Sequence, residues 1–210
     1  MGAKSGLRER QKADRLRRIL DAASLRFRKL GYDATRIEDI AEEADLSPGT
    51  IYNYFGNKGD VLIAIVALEV EEILTEGARM IAASPEDPGD AVRALIDFYF
   101  DHSLNYLSKE MWRTAMALSI RSPDSPMSQR YTALDARLCA QVCSLLRSLQ
   151  AHGKLRAGLD TEAIGGLLFN HLNMLFIEFV KDEPQTLATL KDRVARQNAP
   201  VLRMICAPAV

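Results

Sequence analysis

TRIEDIAEEADLSPGTIYNYFGNKGDVL, residues 35–62, predicts two short helices joined by a tight turn. Thr35 and Glu38 form a Thr-x-x-Glu pattern, the capping box that starts a helix. Asp45 stands where the chain must turn, and Asp tolerates left-handed backbone geometry better than most residues. Ser47 is a good N-cap for the second helix, and the proline after it suits a first helical turn.

The second predicted helix, residues 48–55, has one apolar side and one small polar side. Ile51 and Phe55 are four positions apart, so they should be buried together against the other helices. Thr50 and Asn53 then face outward. Asn reads adenine through paired hydrogen bonds, and Thr contacts the thymine methyl group. A short helix of this kind, packed on two others, is typical of helix-turn-helix DNA readers.

The residues before this stretch predict a third, basic helix. From Arg8 to Leu30 apolar residues recur every three or four positions, and Gly31 follows where a left-handed cap belongs. Residues 1–31 hold ten Lys or Arg and three Asp or Glu, a local charge of +7 in a chain of net charge -1. Such an end localises affinity for an anionic partner, although a solvated helix face has the same composition. Residues 1–7 look like a disordered arm, which would reach phosphates or a minor groove.

The segment from Gly31 to Leu62 resembles the DNA-binding domain of the TetR (tetracycline-repressor) family. The matching residues are Gly31-Tyr32, Thr35, Asp39-Ile40-Ala41, Leu46-Ser47, Gly49-Thr50-Ile51-Tyr52, Tyr54-Phe55 and Lys58. The resemblance implies an all-α transcriptional regulator that binds double-stranded DNA. A three-helix helix-turn-helix domain, residues 1–58, would precede a helical ligand-binding and dimerisation domain, residues 59–210.

The same resemblance implies which side chains contact DNA. Those implied to enter the major groove are Ser47, Pro48, Gly49, Thr50 and Asn53. Those implied to hold backbone phosphates are Tyr52, Tyr54 and Lys58. Thr35 and Arg36 complete the set, and Arg36 stands where the family often has Ser or Thr. Asp45 and the pair Gly59-Asp60 are further departures from the family pattern, neither of which affects the domain assignment.

The remainder of the chain reads as helices separated by Pro-rich breaks, and no segment has a strand pattern. The predicted helices are about Asp60–Ala83, Asp90–Leu107, Lys109–Ile120, Met127–His152, Asp160–Lys181 and Thr186–Met204. The breaks between them include Pro85–Gly89 and Ser122–Pro126.

The helix predicted at Asp160–Lys181 is apolar nearly all round, so part of it should meet another subunit. One helix-turn-helix reads only a few base pairs, whereas a two-fold pair reads a near-palindromic operator. We therefore expect a homodimer, and the resemblance implies that the last two long helices form its interface. The predicted interface residues are Leu168, Leu172, Leu175, Phe179, Val194 and Leu202.

The middle helices contain candidates for a pocket that binds a small-molecule effector. Its predicted lining residues are Phe98, Tyr99, His102, Trp112, Met116, Tyr131, Phe169 and Asn173. Ordinary core packing is the alternative for each of them. Apolar and aromatic walls would suit a hydrophobic or aromatic ligand, which would release a repressor from its operator. The rival hypothesis is a structural DNA-associated protein on the same fold, without a ligand.

Other functions find little support in the sequence. Cys139 and Cys143 lie four apart on one helix face, which fits small core residues, with a redox switch as the alternative. The three His residues have no metal-ligand spacing, and no catalytic constellation is present, so no metal, cofactor or enzymatic activity is expected. The chain has neither the apolar run of a signal peptide nor an uncharged membrane span, which predicts a cytoplasmic protein.

Overall fold

The computed structural model describes residues 2–83 and 87–207, with side chains from residue 8 onward. Within these ranges the regular secondary structure is helical and contains no strand, which confirms the all-α prediction. The helices are α1 (Gly2–Leu30), α2 (Ile37–Glu43), α3 (Pro48–Tyr52), α4 (Lys58–Ala82), α5 (Pro88–His102), α6 (Lys109–Arg121), α7 (Pro126–Ala151), α8 (Thr161–Lys181) and α9 (Leu187–Ile205).

Several helix ends lie where the sequence predicts them. Gly31 has φ +82° and ends α1, and Asp45 has φ +50° in the turn after α2. Both residues therefore occupy the left-handed region, which glycine tolerates best and which Asp tolerates better than most other residues. Asp160 caps α8 by accepting hydrogen bonds from two backbone N–H groups, at 3.1 and 2.9 Å. Thr186 caps α9 in the same way, through Thr189 N at 3.2 Å.

The start of α1 differs from the sequence prediction, and the start of α5 follows a break that lies partly outside the described residues. α1 begins at Gly2, so the predicted arm is helical beyond Met1, which lies outside the described residues. The predicted break after α4 also lies partly outside them, at residues 84–86. α5 then starts at Pro88, where the Asp87 carboxylate accepts a hydrogen bond from the backbone N–H three positions later, at 2.9 Å. A proline preceded by a capping Asp is a favourable helix start.

α5 ends at His102, five residues before its predicted end at Leu107. The buried Ser103 hydroxyl donates to the backbone carbonyl of Phe100 at 2.8 Å, which competes with continuation of the helix. Ser108 then caps α6. The apolar periodicity of this region therefore belongs to two segments rather than to one long helix.

The chain divides into two compact units. The first contains the residues up to 67 together with 106–131, and the second contains 68–105 together with the residues from 132 onward. These units are defined by packing, so the functional division predicted after residue 58 stays a prediction.

In the first unit, α1, α2 and α3 enclose an apolar core that includes the fully buried Phe27, Ile40 and Ile51. The segment after residue 105 is attached to α1 by hydrogen bonds. Ser24 Oγ donates to the backbone oxygen of Tyr106. Tyr32 N donates to Glu110 Oε1 at 3.0 Å. The three-helix domain is thus packed together with α6, which the sequence pattern alone does not indicate.

The second unit has a buried network of hydrogen bonds in its core. Tyr99 Oη donates to Gln141 Oε1 at 2.7 Å, and Gln141 Nε2 donates to the Leu74 carbonyl at 2.8 Å. A Cβ at Gly77 would lie 2.3 Å from Gln141 Oε1, so only glycine leaves room for this amide. This network joins α4, α5 and α7, and it provides hydrogen-bond partners for polar atoms that would otherwise be costly to bury.

α8 is long and apolar enough to span a membrane, with a mean hydropathy of 1.4 over its most apolar window. Part of its apolar surface is instead covered within the second unit, where Leu168, Leu172, Leu175 and Phe179 are buried. This pattern identifies α8 as the core helix of that unit. Those four residues and Val194 of α9 are covered within one protomer, and their predicted role in a dimer interface stays a prediction. Leu202 is partly exposed.

Candidate DNA-binding surface

α3 is a single short helix with a well-formed start. Ser47 Oγ accepts a hydrogen bond from Thr50 N at 3.2 Å, and the two hydroxyl groups lie 2.9 Å apart. Ile51 has an exposed fraction of 0%, and Phe55 is also buried. These two side chains attach α3 to the core, as predicted from their spacing, and so fix which face of α3 points to solvent.

That solvent face contains most of the residues predicted to enter the major groove. Pro48, Gly49 and Asn53 are exposed, and the Tyr52 side chain is 53% exposed. The nearest atom to a Cβ built at Gly49 is Ser47 Oγ, at 3.9 Å, so the backbone here is open to close approach. A small, open and polar helix face is what base-edge contacts require.

Thr35 differs from this group because it is 1% exposed. Its hydroxyl donates to the backbone oxygen of Gly31 at 2.8 Å and so holds the turn after α1. The capping box of α2 lies one position later than predicted, because Asp39 Oδ2 accepts from Arg36 N at 2.8 Å. This hydrogen bond lowers the pKa of the Asp39 carboxyl. The Thr35 side chain is therefore structural, which corrects its prediction as a DNA contact.

Lys58 is also turned inward. Its ammonium donates to the backbone oxygens of Tyr32, Thr35 and Asp33 at 2.6, 2.9 and 3.1 Å. It also lies 4.3 Å from the centre of the Tyr32 ring. Three carbonyl oxygens and a ring face satisfy an ammonium group well, so Lys58 fixes the α1–α2 turn to the start of α4.

The other predicted phosphate contacts lie at the edges of the reading face. Tyr54 is partly exposed, and its hydroxyl is 3.5 Å from the Lys12 backbone oxygen. Arg36 is exposed, with its guanidinium 3.6 Å from Asp39 Oδ1. Neither arrangement is tight, so both side chains are accessible to a nearby phosphate.

Part of the basic excess of α1 holds the domain together. Arg18 Nη2 donates to the Ala44 carbonyl at the end of α2, at 2.6 Å. Arg26 pairs with Glu43 at 2.8 Å. Cations favour the C-terminal end of a helix, so these arginines stabilise α2 against α1. The charge count alone cannot distinguish such structural arginines from phosphate ligands.

The eight residues predicted to line a ligand pocket are divided between the two units. Trp112, Met116 and Tyr131 lie in the first unit. The members in the second unit are Phe98, Tyr99, His102, Phe169 and Asn173. Of the eight, Tyr99, Trp112, Tyr131 and Phe169 are buried.

His102 has an acidic environment within the second unit. Its Nε2 lies 3.2 Å from Glu72, and its Nδ1 lies 3.9 Å from Glu69, a fully buried carboxylate. The neighbouring carboxylates, Glu69 first and then Glu72, raise the pKa of His102, which favours the charged imidazolium.

A cavity of about 310 Å³ lies between α5 and α9 in the second unit. Its wall combines aliphatic side chains with the buried amide of Asn198 and with Arg93, Asp97 and Arg203. None of the eight predicted pocket residues lines it. The sequence prediction missed it because small aliphatic residues on α5 and α9 carry no signal beyond core packing.

Of the predicted cysteine pair, Cys143 is packed in the core, whereas Cys139 is partly exposed. Cys143 is buried, and a Cβ at Gly165 would lie 2.6 Å from its Sγ. Burial and then the neighbouring Cys139 raise the pKa of the Cys143 thiol, which disfavours the nucleophilic thiolate. Among the described residues, no group of three His, Cys, Asp or Glu is placed to hold a metal ion.

A three-helix domain whose second helix buries one apolar face and whose short third helix exposes a polar face is typical of helix-turn-helix DNA-binding domains. Residues 19–65 match the family model for bacterial regulatory proteins of the tetR family, so this part of the chain is a DNA-binding domain of that family, as the sequence predicts.

Related proteins support this membership. The HTH-type transcriptional regulator BetI of Stenotrophomonas maltophilia is 35% identical over 125 residues, which cover 59% of this chain and 62% of that protein. The chain thus aligns with less than two thirds of that relative.

Two solved structures share the fold. A TetR-family transcriptional regulator from Mesorhizobium loti superimposes with a TM-score of 0.76 at 20% identity, covering 93% of this chain and 98% of the other. FadR from Thermus thermophilus, solved with lauroyl-CoA, has a TM-score of 0.66 at 23% identity, with 93% and 98% covered.

Proposed function

We propose that this protein is a homodimeric, cytoplasmic repressor that a small hydrophobic or aromatic ligand releases from a near-palindromic operator. The observation that carries the DNA-binding part is the exposed polar face of α3, opposite the fully buried Ile51. We propose no enzymatic activity and no cofactor, in keeping with relatives that are named as regulators.

Within the proposed complex, α3 lies in the major groove. Asn53 and Thr50 supply base contacts, because amide and hydroxyl groups pair with base edges. Tyr52 supplies an uncharged phosphate contact through its exposed hydroxyl. Arg36 and Tyr54, at the edges of the face, are proposed to hold flanking phosphates. Ser47, Pro48 and Gly49 allow the close approach of the backbone that these contacts need.

The proposed dimer interface centres on the solvent face of α8 rather than on its buried face. Leu167 and Met174 lie seven positions apart, hence on one side of the helix, and each is 54% exposed. Next to Leu167, Gly166 has no atom within 4 Å of a built Cβ, so a second helix can approach closely. Two exposed apolar side chains beside a small residue are suited to helix–helix packing across a two-fold axis.

The proposed switch is a shift between two conformations of the dimer. A ligand lowers DNA affinity only as far as it binds the non-reading conformation more tightly. Apolar and aromatic residues of the regulatory helices favour a hydrophobic effector. Acyl-CoA thioesters belong among the first candidates, because lauroyl-CoA is bound in the Thermus FadR crystal and stearoyl-CoA in that of FadR from Bacillus subtilis.

Selection of bound duplexes from a random DNA pool tests the proposal, with and without each candidate ligand. We expect enrichment of a sequence with two related half-sites one helical turn apart, and loss of binding with the effector. A failure to enrich any sequence would overturn the proposed operator binding. Binding that persists with every ligand would favour the ligand-independent structural role instead.

A further inference from the structure

Two arginines of the α6–α7 region, Arg121 and Arg130, lie beside the turn that joins α3 to α4. A cleft of about 580 Å³ is lined by Asn57 and Lys58 on one side and by Arg121 on the other. A second cleft, of about 270 Å³, is lined by Tyr54, Gly56 and Arg130. Asp60, Pro126 and Met127 line both clefts, so the arginines flank one continuous edge of the first unit.

The start of α7 is held close to the start of α4 by a close packing contact. A Cβ at Gly59 would lie 3.1 Å from Met127 Sδ and 3.0 Å from Asn57 Oδ1. The lack of a side chain at Gly59 therefore lets Met127 pack against the first turn of α4. This contact gives a physical reason for a glycine in a helical position that would otherwise favour another residue. Arg130 lies about one helical turn after the start of α7, so this contact also keeps it beside the α3–α4 turn.

Arg121 and Arg130 are exposed, and within the described residues neither makes an ion pair or a side-chain hydrogen bond. The cation predicted to hold a phosphate here, Lys58, is instead bonded to three backbone oxygens. The available positive charge at this edge is therefore on the two arginines.

The acidic groups nearby do not neutralise that charge. The Asp60 carboxylate accepts hydrogen bonds from Gly56 N and Asn57 Nδ2, at 3.1 and 3.0 Å, and keeps its negative charge. The α6–α7 turn contains one further acid, Asp124, against the two arginines. Lys58, Arg121 and Arg130 place three cations at this edge against these two carboxylates, so the edge as a whole is cationic.

We propose that Arg121 and Arg130 bind backbone phosphates of the DNA that flanks the base pairs read by α3. This inference rests on the proposed operator binding. When α3 lies in the major groove, the turn after it faces the sugar–phosphate backbone, where most contacts position the protein without reading sequence. An arginine fork binds a phosphate through two parallel hydrogen bonds. The DNA-binding surface therefore extends beyond the three-helix domain onto α6 and α7.

The test is the salt dependence of DNA affinity for the full-length dimer and for Arg121→Gln, Arg130→Gln and the double variant. Each phosphate contact contributes about one unit to the slope of log affinity against log salt concentration. We expect each single variant to lose about one unit of slope and the double variant about two. The loss should be equal on the operator and on unrelated duplexes, because phosphates carry no sequence information.

Lys154→Gln is the control, since Lys154 is an exposed cation of the second unit. It removes the same charge and should leave the slope unchanged. Trimming the flanks of the duplex should lower the wild-type slope to that of the double variant, which locates the contacts. Circular dichroism verifies that each variant is folded.

Unchanged slopes in all arginine variants, with intact operator binding, would overturn this inference and leave the proposed function standing. An equal loss in Lys154→Gln would also overturn it, because the effect would then be one of net charge. Absence of any DNA binding by the wild type would instead refute the proposed function itself.

Discussion

The ammonium of Lys58 donates a hydrogen bond to the Tyr32 carbonyl at 2.6 Å while lying 4.3 Å from the centre of the Tyr32 ring. One lysine at the start of α4 thereby fixes the turn between α1 and α2. The orientation of the reading helix follows from this contact, because α3 lies between those elements. The residue matches a family position associated with DNA, yet its charge is used inside the domain.

Lys58→Ala should therefore destabilise the protein more than it alters DNA electrostatics. Hydrogen bonds from a charged donor typically contribute about 1.5–3 kcal/mol, and this change removes three of them at once. Denaturant unfolding should show a loss of at least that order, and the salt slope of binding should change by much less than one unit. A full unit of slope lost with unaltered stability would mean that Lys58 leaves the carbonyls to bind a phosphate.

Tyr52→Phe and Asn53→Ala should separate affinity from specificity on α3. Removing the Tyr52 hydroxyl should weaken binding to every sequence while the salt slope stays the same, because the lost contact is uncharged. Removing the Asn53 amide should relax the base preference at one position by about 1–3 kcal/mol. Binding measured on operators with single base changes distinguishes the two. Identical effects of both variants would show that α3 does not read bases in this way.

The sequence predicted the reading domain more fully than the rest of the chain because its signals are local. The caps at Gly31, Asp45 and Ser47 and the Ile51–Phe55 spacing each depend on neighbours within a few positions. The membership of α6 in the first unit depends instead on contacts such as Tyr32 N to Glu110 Oε1, between residues 78 positions apart. No periodicity in the sequence encodes that pairing.

The assignment of exposed and buried faces could not be made from the sequence for the same reason. An all-round apolar helix indicates that α8 is buried on most sides, but not which of its faces is covered by its own protomer. Leu168 and Leu167 are adjacent in sequence, yet the first is buried and the second is 54% exposed. Thr35 likewise lies at a plausible DNA-facing position and is turned inward by its hydrogen bond to Gly31.

Gly165→Ala and Gly166→Ala should have opposite effects on stability, although the residues are neighbours on α8. A Cβ at Gly165 would lie 2.6 Å from Cys143 Sγ and 2.9 Å from the Cys143 Cα, and backbone cannot move aside easily. We expect a cost of about 1–3 kcal/mol or more, as for other overpacked cores. Gly166 has open space, so alanine there should stabilise the folded protomer by about 0.5–1 kcal/mol. Thermal and denaturant unfolding below the dimerisation concentration measure both, and equal effects would contradict the packing described.

Leu167→Asp and Met174→Asp should convert the proposed dimer into monomers. Each change places a charge in the centre of an apolar contact, where desolvation is unfavourable. Sedimentation velocity at micromolar concentration should show the wild type as a dimer and both variants as folded monomers. Ile120→Asp is the matched control, because Ile120 is 79% exposed on α6 in the first unit. A wild-type monomer, or variants that remain dimeric, would exclude this face of α8 as the interface.

Asp135→Asn should remove a pH dependence from the stability of the second unit. Burial raises the pKa of Asp135 from 3.8 to about 6. Between these two values the folded state binds more protons than the unfolded state, so wild-type stability contributed by this group falls as pH rises. Above a pH of about 6 Asp135 is ionised in both the folded and the unfolded state, so the free-energy cost of burying its carboxylate no longer changes with pH. Asparagine does not ionise, so the stability gained by the variant should grow from pH 3.8 to about 6 and then level off. Urea unfolding of both proteins across this interval measures the difference, and a difference that is the same at every pH would show that Asp135 is solvated in the folded protein.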